Sequence, residues 1–442
     1  MHIIGYSAGT VNPTLGLFLP FAEETNYAKT NITRRPECII DVNTGDSSIT
    51  NMQESIVKEV RPMLAIVGGK VWTMVGRELD PGVIIIEQGK ISAVSSDLPN
   101  LEGAEIIDAK GKVITPGLID AHCHVGLYEE GIGWAGDDIN EATDPLTPYL
   151  RAIDGINPED QGLKDAVCGG VTTVCTGPGS ANVIGGQSVV IKTNGRVVDE
   201  MVVKHPAGLK VAFGENPKRC FQNKNVSTRM AVAGILRMQL AKAVDYVAKH
   251  SKAKEDQVVE RDLGMEALAL VLRHEIPLRA HAHRADDMMT AMRIAEEFGI
   301  DLVLDHCTEG HKIADIIAEK GYPAIVGPTH TSRSKIELKD KQPCTPDVLT
   351  KAGVLVALMT DHPVIPINQL IVAAAMAVRS GMDREDALRA VTINPARILG
   401  VESQVGSIEP GKDADLVIWS RDPLDVMARA EQVLINGETV FN

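Results

Sequence analysis

Apolar residues follow two different periodicities along this chain, and the change between them predicts how its domains are organised. From residue 63 to 113, short apolar runs are separated by Gly turns; residues 83–94, for example, predict a β-hairpin with Gly89 at its turn. Residues 414–419 and 433–441 repeat this character at the far end. The two β-rich ends therefore predict one small β-sandwich domain that is built from both termini.

The middle of the chain alternates short apolar strands with helical patterns. Repeated β–α order is typical of a parallel sheet covered by helices, and the length of this region favours a closed (β/α)8 TIM barrel. The predicted strands are 117–120, 171–175, 209–213, 278–280, 302–304, 324–326 and 354–358, and the predicted helices are about 228–249, 256–274, 285–298 and 366–380. The predicted regions are an N-terminal extension without an assigned role (1–62), the β-sandwich (63–113 and 401–442) and the barrel (114–400).

Composition narrows the class of protein. The chain has 442 residues, of which 44% are hydrophobic and 23% charged, as expected for a globular protein. Its formal net charge of −15 argues against nucleic-acid binding, which needs a basic face. No apolar stretch reaches the ~18 residues of a membrane helix, so we expect no membrane insertion. The seven cysteines include no CxxC pair, which favours a reducing, cytoplasmic compartment.

The strongest chemical signal is a pair of histidines, His122 and His124, directly after the apolar strand at 117–120. Strand side chains alternate, so both imidazoles point to the same side and can share one metal ion. With twelve histidines in the chain, such a pair also arises by chance. Its position at a strand end of a predicted barrel is what favours the metal site.

Further candidates follow other predicted strands, where the active sites of such barrels lie. They come after five different strands and so predict one shared rim of metal-binding groups. These residues are His122 and His124, Glu215, His281 and His283, His306, and Asp361 with His362.

These segments resemble the amidohydrolase superfamily, and within it the imidazolonepropionase-related branch, which includes prolidase-like dipeptidases. The resemblance rests on residues 116–124, on Thr360-Asp361, and on the tail segments 394–400 and 406–417. It runs from about residue 64 to 441. It implies a metal-dependent hydrolase that acts on carbon–nitrogen bonds other than peptide bonds, with dipeptides as a further substrate class.

The resemblance also implies roles for individual residues. His122, His124 and Asp361 match the first metal site, and His306 matches the histidine after the sixth strand. After the fifth strand His281 is the preferred ligand; His283, on the same side of the strand, replaces it or contacts substrate. The implied cofactor is Zn²⁺, as one or two ions, with Mn²⁺ or Fe²⁺ as alternatives.

One position departs from the family pattern. Many binuclear members bridge two metals with a carboxylated lysine of the fourth strand. At the matching place this chain offers Glu215, whose carboxylate needs no modification. Lys192 is the rival if the strand count is wrong by one.

The implied mechanism uses metal-activated water. Asp361 orients the water, takes its proton and passes it to the leaving nitrogen, while His306 or His330 polarises the carbonyl group. His283, Arg284, Lys218 and Trp134 are candidates for substrate binding, although salt bridges or a solvated loop explain the last three equally well.

Two other functions compete with amide hydrolysis. The first is an aminohydrolase that removes ammonia from a nitrogen heterocycle; residues 281–287 lack the glutamate that deaminases of this superfamily carry there, which disfavours it. The second is a scaffold that keeps the fold without the chemistry, which the full ligand set argues against. We expect a small-molecule substrate and, as is common for large barrels, a homo-oligomer.

Overall fold

The computed structural model describes residues 63–76, 78–254 and 258–442, so the predicted N-terminal extension lies outside the described residues. In chain order the strands are β1 (Leu64–Val71), β2 (Leu79–Glu87), β3 (Lys90–Ser95), β4 (Glu105–Asp108), β5 (Val113–Pro116), β6 (Leu118–Cys123), β7 (Val171–Thr176), β8 (Ile184–Lys192), β9 (Val202–Ala212), β10 (Leu278–Ala282), β11 (Leu302–His306), β12 (Ala324–Val326), β13 (Val356–Leu358), β14 (Leu416–Trp419), β15 (Ala430–Ile435) and β16 (Glu438–Phe441). The helices are α1 (Gln161–Cys168), α2 (Val198–Met201), α3 (Glu215–Cys220), α4 (Arg229–Lys252), α5 (Leu263–Leu272), α6 (Ala285–Phe298), α7 (Ala314–Lys320), α8 (Thr345–Lys351), α9 (Leu370–Arg379), α10 (Arg384–Arg389) and α11 (Ile393–Leu399).

One eight-stranded sheet contains β6 to β13 in sequence order, as expected for a barrel of successive β–α units. Its neighbouring strands are parallel except at β8, which is antiparallel to both β7 and β9. The strict β/α alternation that we predicted fails at this point. Only residues 177–183 separate β7 from β8, and a parallel crossover needs a dozen residues or more.

The two outer strands of this sheet, β6 and β13, are brought together just beyond the end of β13. The backbone N–H of Asp361 donates to the carbonyl of His122 (3.2 Å), and that of His124 donates to the carbonyl of His362 (3.0 Å). The buried Asp120 carboxylate accepts from both the backbone N–H (3.0 Å) and the hydroxyl (2.5 Å) of Thr360. The sheet is therefore nearly closed, consistent with a TIM barrel.

The barrel strands are buried over almost their whole length; β6, β7, β8, β10 and β11 have no exposed residue. Strands that are covered on both sides are normally runs of apolar residues. The polar side chains that occur within them therefore carry a desolvation cost, which identifies them as candidates for a special role.

A second eight-stranded sheet combines strands of both chain ends. Its order is β16-β15-β14-β5-β1-β2-β3, with β4 paired to β1. The junction is the antiparallel pair of β14 with β5. The strands of both ends form one sheet here, so the sandwich arrangement stays a prediction.

The second sheet is fixed to the barrel by a buried indole and a buried ion cluster. The indole N–H of Trp419 donates to the Thr115 hydroxyl (2.8 Å), and its ring lies so close to Gly170 that a Cβ there would approach it to 3.0 Å. Lys192 at the end of β8 contacts Asp413 (2.9 Å) and Asp415 (2.5 Å), which precede β14. These contacts join the sheet and the barrel without covering the rim that carries the histidines.

Two predicted helices show how local signals set helix ends. The predicted helix 285–298 coincides with α6, which ends at Gly299 with a left-handed φ of +61°. The predicted helix 256–274 is shorter, because α5 begins only after Asp262, whose carboxylate accepts from the backbone N–H groups of Gly264 and Met265. None of the helices in the described part of the chain combines the length and apolar composition that crossing a bilayer requires.

Candidate metal centre

Five histidines and one aspartate meet at the C-terminal ends of the barrel strands. Two overlapping groups have ligand atoms that all lie within 4.8 Å of one another, and every member is buried: the first is His122 with His306 and Asp361, and the second is His281 with His283 and His306. His306 belongs to both groups. The arrangement is therefore suited to one metal ion or to two adjacent ions.

The first group is arranged around the Asp361 carboxylate. Its Oδ1 lies 3.4 Å from Nε2 of His122 and 3.4 Å from Nε2 of His124. Nδ1 of His124 lies 2.7 Å from the carbonyl oxygen of Gly177. A carbonyl only accepts, so Nδ1 carries the proton and Nε2 keeps its lone pair for a metal.

The second group contains ring nitrogens without hydrogen-bond partners. Three of these nitrogens, both of His281 and Nε2 of His283, have no hydrogen-bond partner among the described residues. Nδ1 of His283 lies 2.8 Å from the Thr308 hydroxyl, and Nδ1 of His306 lies 3.0 Å from the carbonyl of Gly327. Buried polar atoms are rarely left unpaired, so these nitrogens fit a bound metal ion.

The electrostatics of the cluster favour neutral imidazoles, the form that binds metals. Burial lowers the pKa of His281 and His283 well below the ordinary value and lowers the pKa of His306 to about 3. Burial would raise the pKa of Asp361, but the neighbouring His306, His122 and His124 hold it well below its usual range. The site thus offers uncharged nitrogens around one ionised carboxylate.

Three buried charged residues below the histidines were not identified from the sequence: Lys210 on β9, Arg279 on β10 and Asp305 on β11. Nζ of Lys210 lies 3.3 Å from Nε2 of His122 and 3.3 Å from Asp305. Burial lowers the pKa of the Lys210 amine. Signals for them were present in the sequence, because Lys210 and Arg279 interrupt apolar strands and Asp305 directly follows the predicted strand 302–304, next to His306.

The two candidates for the bridging position lie elsewhere. Glu215 is the first residue of α3, beyond the Gly214 turn, where its backbone N–H donates to Glu337 (2.7 Å); it belongs to neither group of metal-binding atoms among the described residues. Lys192 is bound by the two aspartates described above. Because β8 is antiparallel, its C-terminal end lies at the opposite rim of the barrel. The fourth strand, β9, contains Lys204, which donates to the carbonyl of Leu399, and Lys210, which is the lysine beside His122.

The remaining predicted residues are dispersed. Trp134 is 92% exposed in a short 3-10 helix, Gly133–Gly136. Arg284 pairs with the neighbouring Asp286 (2.8 Å), and Lys218 lies in the last turn of α3. His330 is half-buried in the loop after β12, and its ring nitrogens have no partner in the part of the chain that the structure describes. Only His283 of the predicted substrate-binding residues lies within the histidine cluster.

Another basic residue, Lys335, was also missed. It belongs to the loop after β12, and its Nζ lies 3.7 Å from Glu337. Glu337 is buried and is held by the guanidinium of Arg229 (3.1 Å). Burial lowers the pKa of Lys335, against the opposing effect of Glu337, Glu215 and Asp361. The Lys335 amine borders the cluster on the side of the loops, where it acts on His281 and His283.

The fold is a nearly closed barrel whose rim carries a histidine–aspartate cluster that could hold a metal ion, and comparison with known proteins identifies the family. The profile of the Amidohydrolase family matches residues 113–440. The chain belongs to the amidohydrolase superfamily, in its imidazolonepropionase-like branch.

Individual relatives agree with this placement. The chain is 31% identical over 392 residues to the amidohydrolase tasK of Hapsidospora irregularis, covering 82% of this chain but only 40% of that protein's length. It is 27% identical to the imidazolonepropionase of Idiomarina loihiensis, covering 77% of this chain and 86% of the relative. The crystal structure of an amidohydrolase from Thermotoga maritima MSB8 is 48% identical, with a TM-score of 0.84, over 86% of this chain and all of the other.

Proposed function

We propose that this protein is a metal-dependent hydrolase that cleaves the carbon–nitrogen bond of an amide or cyclic amide. The observation that carries the proposal is the buried cluster of histidines around Asp361, in which both ring nitrogens of His281 lack a partner among the described residues. Burying polar nitrogens without partners costs free energy unless a bound cation compensates for the lost contacts with water. The family membership supports hydrolysis as the reaction.

The residues present fit divalent metal binding. His122, His124 and Asp361 would hold one ion, and His281 and His306 would hold a second, with zinc the simplest choice for nitrogen-rich ligands. When bound, such an ion supplies a Lewis acid and lowers the pKa of its water toward ~7. His283 remains the alternative to His281.

Side chains of the protein would then transfer the proton from the water to the leaving nitrogen. Asp361 is ionised and buried, so its carboxylate can accept a proton from the attacking water and deliver it to the leaving nitrogen. His330, in the loop after β12, has no partner for either ring nitrogen among the described residues, and its N–H would donate a hydrogen bond to the carbonyl oxygen. The burial of the cluster restricts water access and so strengthens both interactions.

We propose Lys210, rather than Glu215 or Lys192, for the bridging position of the family's fourth-strand lysine. Its amine lies beside His122, and burial favours the neutral form, which is the form that attacks carbon dioxide. In that step the amine nitrogen forms a bond to the CO2 carbon and loses a proton, which leaves a carboxylate on the lysine.

Aminohydrolase activity remains the runner-up, and the surroundings of Asp286 and Asp287 disfavour it. These residues replace the glutamate of related deaminases, but Asp286 pairs with Arg284 (2.8 Å) and Asp287 pairs with Arg229 (3.0 Å). Neither carboxylate is left free to serve a heterocycle. Release of ammonia from purines or pyrimidines at rates above those of amide cleavage would reverse the order.

The test is the metal content of the purified protein, followed by a substrate panel. We expect one or two equivalents of transition metal in the wild type and loss of metal in the double variant His122→Ala/His124→Ala. His250→Ala, on the outer helix α4, is the matched control and should retain the metal. The panel contains cyclic amides, N-acyl amino acids and dipeptides. A wild type that takes up neither zinc nor manganese would favour the scaffold function.

A further inference from the structure

Beneath the histidines, the Asp305 carboxylate contacts three groups that carry N–H hydrogens. Its Oδ1 accepts from the guanidinium of Arg279, at 2.9 Å from Nη2 and 3.2 Å from Nε. Its Oδ2 lies 3.1 Å from Nδ1 of His122 and 3.3 Å from Nζ of Lys210. Asp305 and Arg279 are almost completely buried. The pair therefore lies directly under the first candidate metal ligand.

The hydrogens on Arg279 decide which nitrogen of His122 carries its proton. Nη2 of Arg279 lies 2.9 Å from the carbonyl of Ala121, 2.9 Å from Asp305 and 3.3 Å from Nδ1 of His122. This nitrogen has two hydrogens, and the two shorter contacts use both. Nδ1 of His122 therefore receives no hydrogen from Arg279 and must donate its own to Oδ2 of Asp305.

The consequence concerns the other ring nitrogen. With the proton on Nδ1, Nε2 of His122 has a free lone pair, and it points toward Asp361 (3.4 Å) and Lys210 (3.3 Å). In the opposite tautomer, Nε2 would carry a hydrogen into this space and could not bind a cation. The tautomer thus determines whether His122 can serve as a ligand.

We infer that Asp305 is a positioning residue that holds His122 in its metal-binding tautomer, and that Arg279 fixes the Asp305 carboxylate for this task. The inference rests on the proposed metal-dependent function. A buried ion pair is by itself a weak source of stability, because desolvation offsets the attraction. Because this pair contacts Nδ1 of His122, it can fix the tautomer of that histidine, which a distant ion pair cannot do.

Substitution of Asp305 by Asn tests the tautomer directly. The single amide oxygen would keep accepting from Nε and Nη2 of Arg279. The amide NH2 group would then face Nδ1 of His122, which would have to accept a hydrogen bond. The proton of the His122 ring would therefore move to Nε2. We expect Asp305→Asn to bind Zn²⁺ about 10–100-fold more weakly than the wild type, measured by competition with a chromophoric chelator. The d–d absorption of the Co²⁺-substituted protein should weaken in parallel.

Asp415→Asn is the matched control, because Asp415 is also a buried partner of a cation but contacts no histidine of the cluster. We expect its Zn²⁺ affinity to equal that of the wild type. Equal affinities in Asp305→Asn and wild type would overturn the inference while leaving the hydrolase proposal intact. A wild type without any metal affinity would instead overturn the proposed function.

A second measurement covers the case in which Asp305→Asn does not fold. Long-range ¹H–¹⁵N spectra of the metal-free wild type, labelled at histidine and assigned with His122→Gln, report the tautomer. A proton on Nδ1 of His122 supports the inference. A proton on Nε2 overturns it.

Discussion

At the scale of single residues, the site depends on one carboxylate, Asp361, among buried imidazoles. Asp361→Asn keeps the shape of this side chain but removes its capacity to accept a proton. We expect kcat to fall by about 10²–10⁴-fold, the usual contribution of a general base, while part of the bound metal is retained. Steady-state kinetics combined with metal analysis checks this. Asp347→Asn, on α8 and paired with Lys351, should leave kcat unchanged. A kcat within twofold of wild type in Asp361→Asn would exclude the proton-transfer role.

Lys335 should influence which substrates the site prefers. Its ammonium borders the cluster with Glu337 at 3.7 Å as its nearest carboxylate. A carboxylate on the substrate would gain a charge-assisted hydrogen bond there. We expect Lys335→Met to raise KM about tenfold for an N-acyl amino acid and to leave KM unchanged for the corresponding neutral amide, since one such bond contributes roughly 1.4 kcal/mol. Lys339→Met, on the same loop but paired with Asp340, is the control. Equal changes for both substrates would count against this role.

Residue by residue, the sequence revealed the part of the site that follows strand ends. The histidines and Asp361 could be placed because a barrel collects strand ends at one rim. Lys210, Arg279 and Asp305 could not, since which side of a strand faces the barrel axis depends on register. Asp305 illustrates this: it precedes His306 directly, yet it pairs in register with His281.

At the scale of secondary-structure elements, the contact between β6 and the end of β13 holds the two halves of the first ligand group together. The hydroxyl of Thr360 is one of the donors that satisfy the buried Asp120 carboxylate. Thr360→Val removes this donor, and we expect a loss of about 1–3 kcal/mol in the free energy of unfolding, measured with urea. Thr173→Val on β7 is the control: its buried hydroxyl has no partner among the described residues, so its removal should cost little. Equal losses in both variants would mean that strand packing, not the hydrogen bond, decides.

The order of the elements was largely predictable, and the exceptions have geometric causes. Apolar runs identified most barrel strands, and Gly299 correctly marked the end of α6. The antiparallel direction of β8 was missed because its neighbours β7 and β9, and not its own composition, determine it. The short connection from β7 was the available clue, since its length excludes a helical crossover.

At the scale of the whole molecule, the cluster of Lys192, Asp413 and Asp415 couples the barrel to the second sheet. Lys192→Met would leave two buried carboxylates without their shared cation, and we expect a loss of about 3–5 kcal/mol in the free energy of unfolding. Lys90→Met is a demanding control, because Lys90 also contacts Asp413 but is half exposed, so its loss should cost about 0–1 kcal/mol. The triple variant Lys192→Met/Asp413→Asn/Asp415→Asn should recover part of the stability, since it removes the uncompensated charges. Unfolding of Lys192→Met and Lys90→Met at the same urea concentration would mean that the cluster stabilises the fold no more than an exposed ion pair does. The coupling between the two sheets must then come from the packing of Trp419.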